Sequence, residues 1–247
     1  MASFKTRIKE ISSHKGKIIL ANDYDSDQKN LVSKTILNIN SLHEHLCGLK
    51  LNFHLLLPLG AKDLSKIIKT AHRKKLLTIA DIKLNDIGNT NRVTIETLWD
   101  IGFDAVIVNP IMGLMSLQEI ITTSHLRNKG VITLCHMSAP SAKMTYDMNI
   151  LFQKKSKKLY ELFLQWALKE KADGIIVGAT YPKIISWCNK KSRHKLDIYS
   201  PGVGVQGGNA HQVLSAGSTF LIVGRSILNA KNPKQVAKRL QLETITK

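Results

Sequence analysis

Residues Leu76–Gly88 read Leu-Leu-Thr-Ile-Ala-Asp-Ile-Lys-Leu-Asn-Asp-Ile-Gly, a short apolar run followed by a charged end. The run Leu76–Ala80 is nearly continuous in its apolar character rather than alternating, as in a parallel strand that is covered on both faces. The charged end leads into a segment that starts with Asn89, Thr90 and Asn91 and resembles the first turn of a helix. The stretch therefore predicts a strand followed by a helix, with polar side chains at the junction.

The same strand-then-helix unit recurs along the chain. The apolar runs are Lys17–Ala21, Gly48–Leu51, Leu76–Ala80, Ala105–Val108, Val131–Leu134, Gly174–Val177, Asp197–Tyr199 and Phe220–Val223. Segments with apolar residues three and four positions apart lie between them, which is the period of a helix with one buried face. Eight such units in 247 residues match a closed parallel barrel better than an open doubly wound sheet. We therefore predict one α/β domain over residues 1–247, a (β/α)8 TIM barrel with its active site at the C-terminal ends of the strands.

Composition excludes several other classes of protein. Hydrophobic residues make up 43% of the chain, which is too apolar for a disordered protein. The longest uncharged run, Ile198–Gly224, is rich in Gly, Ser and Gln and would not span a bilayer. The N-terminus lacks the apolar segment of a secretory signal, and the three cysteines lie far apart with no Cys-x-x-Cys. These features predict a cytoplasmic protein with reduced thiols and no membrane association.

The chain has 36 Lys and Arg against 18 Asp and Glu, a formal charge of +18. Three basic segments could contact nucleic acid phosphates: Arg73–Lys75, Lys154–Lys158 and Lys190–Lys195. They contain no interleaved aromatic residues, and aromatic residues are only 6% of the chain, which disfavours a stacking surface for single strands. Solvated helix ends and loops are the favoured interpretation; steering of a small anionic substrate is another.

The residues that most strongly indicate chemistry lie at the end of the third apolar run. Side chains alternate along an extended strand, so Asp81 and Lys83 are expected to point the same way. Asp86 follows in the turn before the helix. Carboxylates beside an ammonium group keep it protonated, which makes a poor Schiff-base lysine and a good proton donor. They would also repel a substrate carboxylate. A structural ion-pair network at a strand end is the alternative.

A second signal is the glycine-rich stretch Ser200–Gly208, which contains Gly-x-Gly-x-x-Gly. That pattern marks dinucleotide-binding loops only in a first strand–helix–strand unit with an acidic residue about 20 positions on. Here it follows the seventh run, and the region beyond it contains Arg225. Glycine-rich backbone after the seventh strand, with Gly224 and Arg225 after the eighth, instead fits the phosphate site of a barrel.

Taken together, these motifs resemble the orotidine 5′-phosphate decarboxylase family, particularly its compact archaeal members, from about Ile18 to the eighth strand. The resemblance is carried by Asp-x-Lys-x-x-Asp-Ile-x-x-Thr, Met-Ser-x-Pro, Pro-Gly-x-Gly-x-Gln-Gly-Gly and Ile-Val-Gly-Arg-Ser-Ile, at Asp81–Thr90, Met137–Pro140, Pro201–Gly208 and Ile222–Ile227. It implies decarboxylation of orotidine 5′-phosphate to UMP without a cofactor or metal. Mg²⁺-dependent sugar-phosphate aldolases and decarboxylases share the Asp-x-Lys-x-x-Asp motif and are the alternative enzyme class. A nucleic-acid-binding protein on a catalytically idle barrel is the alternative outside enzymes.

The resemblance also implies roles for single residues. The implied catalytic residues are Lys50, Asp81, Lys83 and Asp86. The implied substrate-binding residues are Asp23, Ile87, Thr90, Ser138, Pro201, Gly202, Gln206, Gly224 and Arg225. Lys83 would protonate C6 of the pyrimidine while Asp81 lies against the departing carboxylate. Asp23 and Lys50 would bind ribose hydroxyls.

The other implied contacts divide between the nucleotide and a partner subunit. Ser138 would bond the amide edge of the pyrimidine, and Gln206 would bridge the base and the phosphate. Gly224 and Arg225 would hold the phosphate. Asp86, Ile87 and Thr90 would reach the site of a neighbouring subunit, which implies a homodimer with shared active sites.

Two features depart from the family pattern. Asn22 precedes Asp23 where the family usually has an apolar residue, and we expect this to alter packing and not chemistry. The segment Ser141–Lys158 is longer and more basic than we expect of compact relatives.

Overall fold

The computed structural model describes residues 2–24 and 29–245, and its central feature is a closed parallel barrel. The strands are β1 (Ile18–Ala21), β2 (Gly48–Asn52), β3 (Leu77–Leu84), β4 (Ala105–Val108), β5 (Gly130–His136), β6 (Asn149–Phe152), β7 (Lys155–Lys158), β8 (Gly174–Val177), β9 (Asp197–Pro201) and β10 (Phe220–Val223). The barrel order is β1-β2-β3-β4-β5-β8-β9-β10, with β10 pairing back onto β1. Every apolar run predicted as a strand forms one, which confirms the (β/α)8 barrel.

Helices cover the outside of this barrel. They are α1 (Phe4–Lys15), α2 (Leu31–Leu42), α3 (Phe53–Leu56), α4 (Ala61–Arg73), α5 (Gly88–Ile101), α6 (Leu114–Leu126), α7 (Lys143–Tyr146), α8 (Leu159–Lys169), α9 (Pro182–Ser192), α10 (Ala210–Ser215), α11 (Arg225–Leu228) and α12 (Pro233–Ile245). Among the described residues, no helix combines the length and apolar character that crossing a membrane requires.

The continuous apolar character of the strands follows from burial on both faces. Every residue of β1, β4, β8 and β10 is buried, between the barrel interior and the surrounding helices. Inside the barrel, the rings of Tyr199 and Phe220 stack with their centroids 4.7 Å apart. The interior is thus a packed core, so open space for a ligand is left at the strand ends.

Helix α1 was not anticipated from the sequence, and it lies at the N-terminal end of the barrel. Its N-cap Ser3 accepts a hydrogen bond from the Thr6 N–H, and Phe4 packs so closely on Gly130 that no side chain would fit there. Arg7 pairs with Asp104, just before β4, across 2.7 Å. The helix therefore closes the end opposite to the strand termini where polar side chains were predicted.

The long segment after β5 contains an insertion. Strands β6 and β7 form an antiparallel hairpin outside the barrel, joined by Gln153 and Lys154, which both have positive φ. Two consecutive left-handed residues are typical of a tight hairpin turn whose twist matches the flanking strands. The insertion enters through α7 and Asp147 and leads into α8.

Candidate active site

A cavity of about 250 Å³ opens at the C-terminal ends of the barrel strands, where the sequence predicted the site. The predicted residues that line it are Asp23, Lys50, Asp81, Lys83, Ser138, Pro201, Gly202, Gln206, Gly224 and Arg225. Apolar side chains also line it, among them Ile107, Leu134, Ile176 and Ile222. Charged groups from the first three strands thus share one cavity with the glycine-rich loop after β9 and the turn after β10.

Asp81 is the centre of the charged group. Its Oδ2 accepts a hydrogen bond from Lys50 Nζ at 2.8 Å, and its Oδ1 accepts one from Lys83 Nζ at 2.8 Å. Burial disfavours the ionised carboxyl, but the two ammonium groups outweigh it and hold the pKa of Asp81 below its ordinary value. The network therefore presents an ionised carboxylate between two ammonium groups, of which Lys83 is the more exposed to the cavity mouth.

Lys83 reaches Asp81 by a different route from the one the sequence indicated. The prediction relied on regular alternation along a strand, but the register between β3 and β4 shifts between Ala80 and Leu84. Lys83 itself has φ +46°, a left-handed conformation that is unfavourable for a residue with a side chain. The predicted proximity is therefore present, but its physical cause is an irregular strand end.

Two polar groups on neighbouring strands complete this half of the cavity. Asp23 Oδ1 lies 3.5 Å from Lys50 Nζ and is buried without a hydrogen-bond partner among the described residues. Asn52, which was not among the predicted site residues, accepts a hydrogen bond from Lys50 Nζ. The position of Asn52 beside Lys50 could have been predicted, because residues two apart on a strand point the same way.

The glycine-rich loop Pro201–Gly208 folds back on itself through backbone hydrogen bonds. The Gly204 N–H donates to Gly208 O at 2.8 Å, and the Gly208 N–H donates to Gly202 O at 3.1 Å. A Cβ on Gly202 would lie 2.7 Å from Gln206 Oε1 and 3.1 Å from Ser138 Cβ. With φ +97° at this position, only glycine allows Ser138 and Gln206 to approach from either side.

Ser226 joins this loop to the turn after β10 and was not among the predicted site residues. Its Oγ donates to Val203 O at 3.1 Å and accepts from the Val205 N–H at 3.1 Å. A Cβ on Gly204 would lie 2.1 Å from Ser226 Oγ, so this contact also requires glycine. Ser226 follows Arg225 directly, and its bonds therefore fix the loop relative to the exposed Arg225 side chain.

Asp86, Ile87 and Thr90 do not line the cavity of their own chain. They are exposed at the start of α5, and Ile87 has 70% of its surface accessible. Asp86 Oδ1 accepts from the Ile87 N–H at 2.8 Å, while buried Asn91 bonds the Asp86 backbone on both sides. The loop is thus ordered by its own contacts and projects outward.

Asn22 shows how the departure before Asp23 is accommodated. The side chain is fully buried, its Nδ2 donates to Thr35 Oγ1 at 2.9 Å, and its Oδ1 accepts from Asn38 Nδ2 at 2.9 Å. Both partners belong to α2, so the amide is satisfied against the helix that follows β1. Within the described residues, no group of three His, Cys, Asp or Glu side chains is arranged to hold a metal ion.

Comparison with known proteins identifies similar chains of nearly the same length. The family model described as "Orotidine 5′-phosphate decarboxylase / HUMPS family" matches residues 16–240. The chain is 30% identical over 224 residues to the orotidine 5′-phosphate decarboxylase of Pyrococcus abyssi (strain GE5 / Orsay), which is 90% of this chain and 96% of that protein.

Solved structures agree on the architecture. The orotidine 5′-monophosphate decarboxylase of Methanocaldococcus jannaschii, complexed with the inhibitor BMP, superposes with a TM-score of 0.75 at 27% identity, covering 92% of this chain and 98% of that one. Leishmania donovani UMP synthase superposes with a TM-score of 0.86 over 99% of this chain at 23% identity, which shows the fold alone. This chain spans 56% of the length of that synthase.

Proposed function

Because the chain belongs to the orotidine 5′-phosphate decarboxylase / HUMPS family, we propose that it converts orotidine 5′-phosphate to UMP and CO₂, a step of UMP biosynthesis. The observation that carries this proposal is the Lys50–Asp81–Lys83 network at one wall of the cavity. The named decarboxylases among the relatives favour the nucleotide over the sugar phosphates that the family also covers. One barrel domain over the whole chain, acting in the cytoplasm, is part of the proposal.

The network supplies what this reaction requires. When the bond between C6 and the carboxylate breaks, its electron pair stays on C6, where no conjugated group delocalises it. An ammonium group already in place stabilises this charge without reorganisation, and Lys83 then transfers a proton to C6. Solvent returns the proton to Lys83. The ionised Asp81 repels the substrate carboxylate before the bond breaks, and this repulsion is relieved as CO₂ leaves.

The remaining cavity residues bind the nucleotide. The buried Oδ1 of Asp23, which has no hydrogen-bond partner among the described residues, and the Lys50 ammonium are suited to the ribose hydroxyls. Gly224 and Arg225 hold the phosphate, since a guanidinium offers a forked and permanently charged donor. Ser138 and Gln206, which approach each other across Gly202, bind the base and bridge it to the phosphate.

Binding the distant phosphate helps the chemical step at the base. The loop Pro201–Gly208 contacts the turn after β10 through Ser226, so phosphate binding at Arg225 and loop position are physically connected. Interaction energy from the phosphate can thereby hold Gln206 and Ser138 over the base. The loop then excludes water, which would otherwise weaken the electrostatic effect of Lys83.

The active unit is a homodimer in this proposal. Asp86, Ile87 and Thr90 form an exposed, ordered loop directly after Lys83, where they are suited to enter a partner's cavity from the side. A carboxylate delivered from the partner would add a second counter-charge to the Lys83 ammonium.

Mixing the protein with orotidine 5′-phosphate in EDTA and following the ultraviolet absorbance tests the function. We expect absorbance to fall as the orotate base of the nucleotide becomes uracil. EDTA should not prevent this, because the proposed reaction draws its proton and its charge stabilisation from side chains. A parallel assay offers sugar phosphates with Mg²⁺. Turnover of a sugar phosphate, with none of the nucleotide, would overturn the proposal.

A further inference from the structure

His136 ends β5 beside the residues that enter the cavity. Its ring is fully buried, and Nδ1 lies 2.8 Å from the backbone oxygen of Met137. A carbonyl oxygen only accepts hydrogen bonds, so Nδ1 must carry a proton. Met137 and Ser138 both line the cavity. The His136 ring is therefore bonded to the backbone that leads directly to Ser138.

The other ring nitrogen faces the insertion. Nε2 of His136 lies 3.7 Å from Oδ1 of Asp147, which stands between α7 and β6. This distance is too long for a hydrogen bond, and both atoms are buried without a hydrogen-bond partner among the described residues. Lys158 Nζ lies 3.8 Å from the same Asp147 oxygen. The insertion thus meets the barrel through a pair of polar atoms that do not bond each other.

Aromatic rings enclose this pair. The ring centroids of Tyr146, Tyr160 and Tyr181 lie 5.3, 5.9 and 4.3 Å from that of His136. Burial raises the pKa of Tyr146 and of Tyr160 to about 12, and it also raises that of Tyr181, so these hydroxyls stay protonated in neutral solution. Asp147 and Lys158 are further titratable groups around the ring in the described part of the chain, and Lys143 Nζ lies 5.8 Å from the centroid of the Tyr181 ring.

The charge of His136 decides whether the two atoms attract. In the neutral ring Nδ1 holds the only proton, so Nε2 presents a lone pair to an acceptor oxygen, and neither is satisfied. In the doubly protonated ring Nε2–H donates to Asp147 and forms an ion pair. Burial lowers the pKa of His136 although Asp147 opposes this, which favours the neutral ring in neutral solution.

We infer that His136 is a positioning residue: its Nδ1–H holds the Met137–Ser138 backbone, and its Nε2–H, present only in the doubly protonated ring, docks the insertion Lys143–Lys158 on the barrel through Asp147. Docking fixes the ring and, through it, that backbone. The statement about substrate rests on the proposed function, whereas the docking of the insertion does not. Since docking requires the added proton, the insertion is held more tightly in mildly acidic than in mildly alkaline solution.

Trypsin cleavage of the hairpin tests the docking without any enzyme assay, because Lys154, Lys155 and Lys157 lie in it. The matched variant is Asp147→Asn, whose amide N–H can donate to the neutral ring and therefore docks the insertion at either pH. We expect the wild-type hairpin to be cleaved about fivefold faster than that of the variant near pH 8, the effect of one modest hydrogen bond. Because burial lowers the pKa of His136, we expect the two rates to converge only as the pH is lowered towards 5. Comparing the two proteins at each pH removes the pH dependence of trypsin itself.

A second histidine–carboxylate pair serves as the control. His125 Nε2 lies 3.0 Å from Asp173 Oδ2 at the opposite end of the barrel, so His125→Gln should leave hairpin cleavage at the wild-type rate at both pH values. A cleavage ratio between the wild type and Asp147→Asn that does not change with pH would overturn the docking. The docking would be supported if two ratios of cleavage rate change equally with pH: wild type to Asp147→Asn, and His125→Gln to Asp147→Asn.

The effect on substrate is measured as KM for orotidine 5′-phosphate in the wild type and in Asp147→Asn near pH 5 and pH 8. We expect the ratio of the two KM values to rise about fivefold with pH, in parallel with cleavage, while titration of the substrate phosphate cancels in the ratio. His136→Gln keeps a donor for the Met137 carbonyl but does not titrate. The ratio of its KM to that of Asp147→Asn should therefore not rise with pH. Absence of turnover in every protein would overturn the proposed function and leave the cleavage result to decide the docking; turnover with a constant KM ratio would overturn the positioning role.

Discussion

Lys83 Nζ lies 2.8 Å from Asp81 Oδ1 across a strand end that leaves regular geometry at Lys83, where φ is +46°. Regular alternation would have placed both side chains on one face without this distortion. Here the backbone turns at Lys83 and places its ammonium group beside the Asp81 carboxylate, which also accepts a hydrogen bond from Lys50. Local strain at a charged residue is typical of functional sites, where the surrounding structure maintains it.

Replacing Lys83 by alanine should abolish decarboxylation while leaving nucleotide binding largely intact. The reason is that the proposed proton donor lies at β3, whereas the proposed phosphate contacts lie after β9 and β10. We expect turnover to fall by at least about 1,000-fold, in the range of a lost general acid, in a stopped assay. UMP affinity, measured by calorimetry, should change little. Turnover within tenfold of the wild type would remove Lys83 from the mechanism.

The same position predicts a difference in stability between two inactive variants. Lys83→Gly relieves the left-handed strain, and Lys83→Ala does not. We therefore expect Lys83→Gly to exceed Lys83→Ala in free energy of unfolding by about 1 kcal/mol in urea. Equal midpoints and slopes for both variants would show that the strand end relaxes around a side chain.

Replacing Arg225 by alanine should strongly reduce kcat/KM for the nucleotide and barely change kcat/KM for the dephosphorylated nucleoside. Loss of a charge-assisted contact to phosphate is worth about 3 kcal/mol, or on the order of 100-fold. Lys231→Ala serves as the control, because it removes another exposed positive charge beyond α11. If Arg225→Ala impairs nucleoside and nucleotide equally, the guanidinium has a structural role.

Two inactive variants should restore activity when mixed, if Asp86 acts in the partner's site. In a dimer of one Lys83→Ala chain and one Asp86→Ala chain, one site carries both lesions and the other carries neither. Random exchange at equal concentrations makes about half of the dimers mixed, so roughly a quarter of wild-type activity should return. Subunit exchange is verified by mass, and exchange without recovery would place Asp86 in its own chain's site.

A chain with both substitutions, mixed with wild type, provides the complementary control. Every site of a mixed dimer then carries one lesion if sites are shared, so activity should settle at about a quarter of an all-wild-type sample. If each chain builds its own site, mixed dimers keep one intact site, and about half should remain.

Acid should remove the stability that Asp104 contributes. Burial disfavours its ionised form, but contacts from His72, Arg7 and the Thr78 N–H outweigh burial and lower its pKa from 3.8 to about 2. The group therefore stabilises the fold fully above pH 3.8, and the contribution is lost as pH falls towards 2. The shift corresponds to roughly 2 kcal/mol.

The measurement is urea unfolding of wild type and Asp104→Asn at several pH values. We expect the variant to be less stable by roughly 2 kcal/mol at neutral pH, with the difference shrinking in acid as the wild-type carboxyl is protonated. Asp100→Asn, which breaks the exposed ion pair with Arg127, should change stability by less than about 1 kcal/mol. A difference for Asp104→Asn that persists unchanged at low pH would contradict the role of its charge.

The barrel and most of the residues that line the cavity could be predicted from the sequence alone. Strands buried on both faces must be continuously apolar, and parallel strands joined by helices place all their C-terminal ends on one side. Polar residues at those ends, such as Asp81, Ser138 and Arg225, are thereby gathered in one cavity whatever the details of packing.

Contacts that depend on departures from regular geometry or on distant segments follow only from the three-dimensional structure. The left-handed Lys83 could not be foreseen from alternation, because it lies where the register between β3 and β4 shifts. Ser226 bonds the loop after β9, and Asp147 meets His136, through residues that are 21 and 11 positions away in sequence. Such contacts are fixed by how the ends of different strands pack together, and sequence periodicity carries only the local geometry of each element.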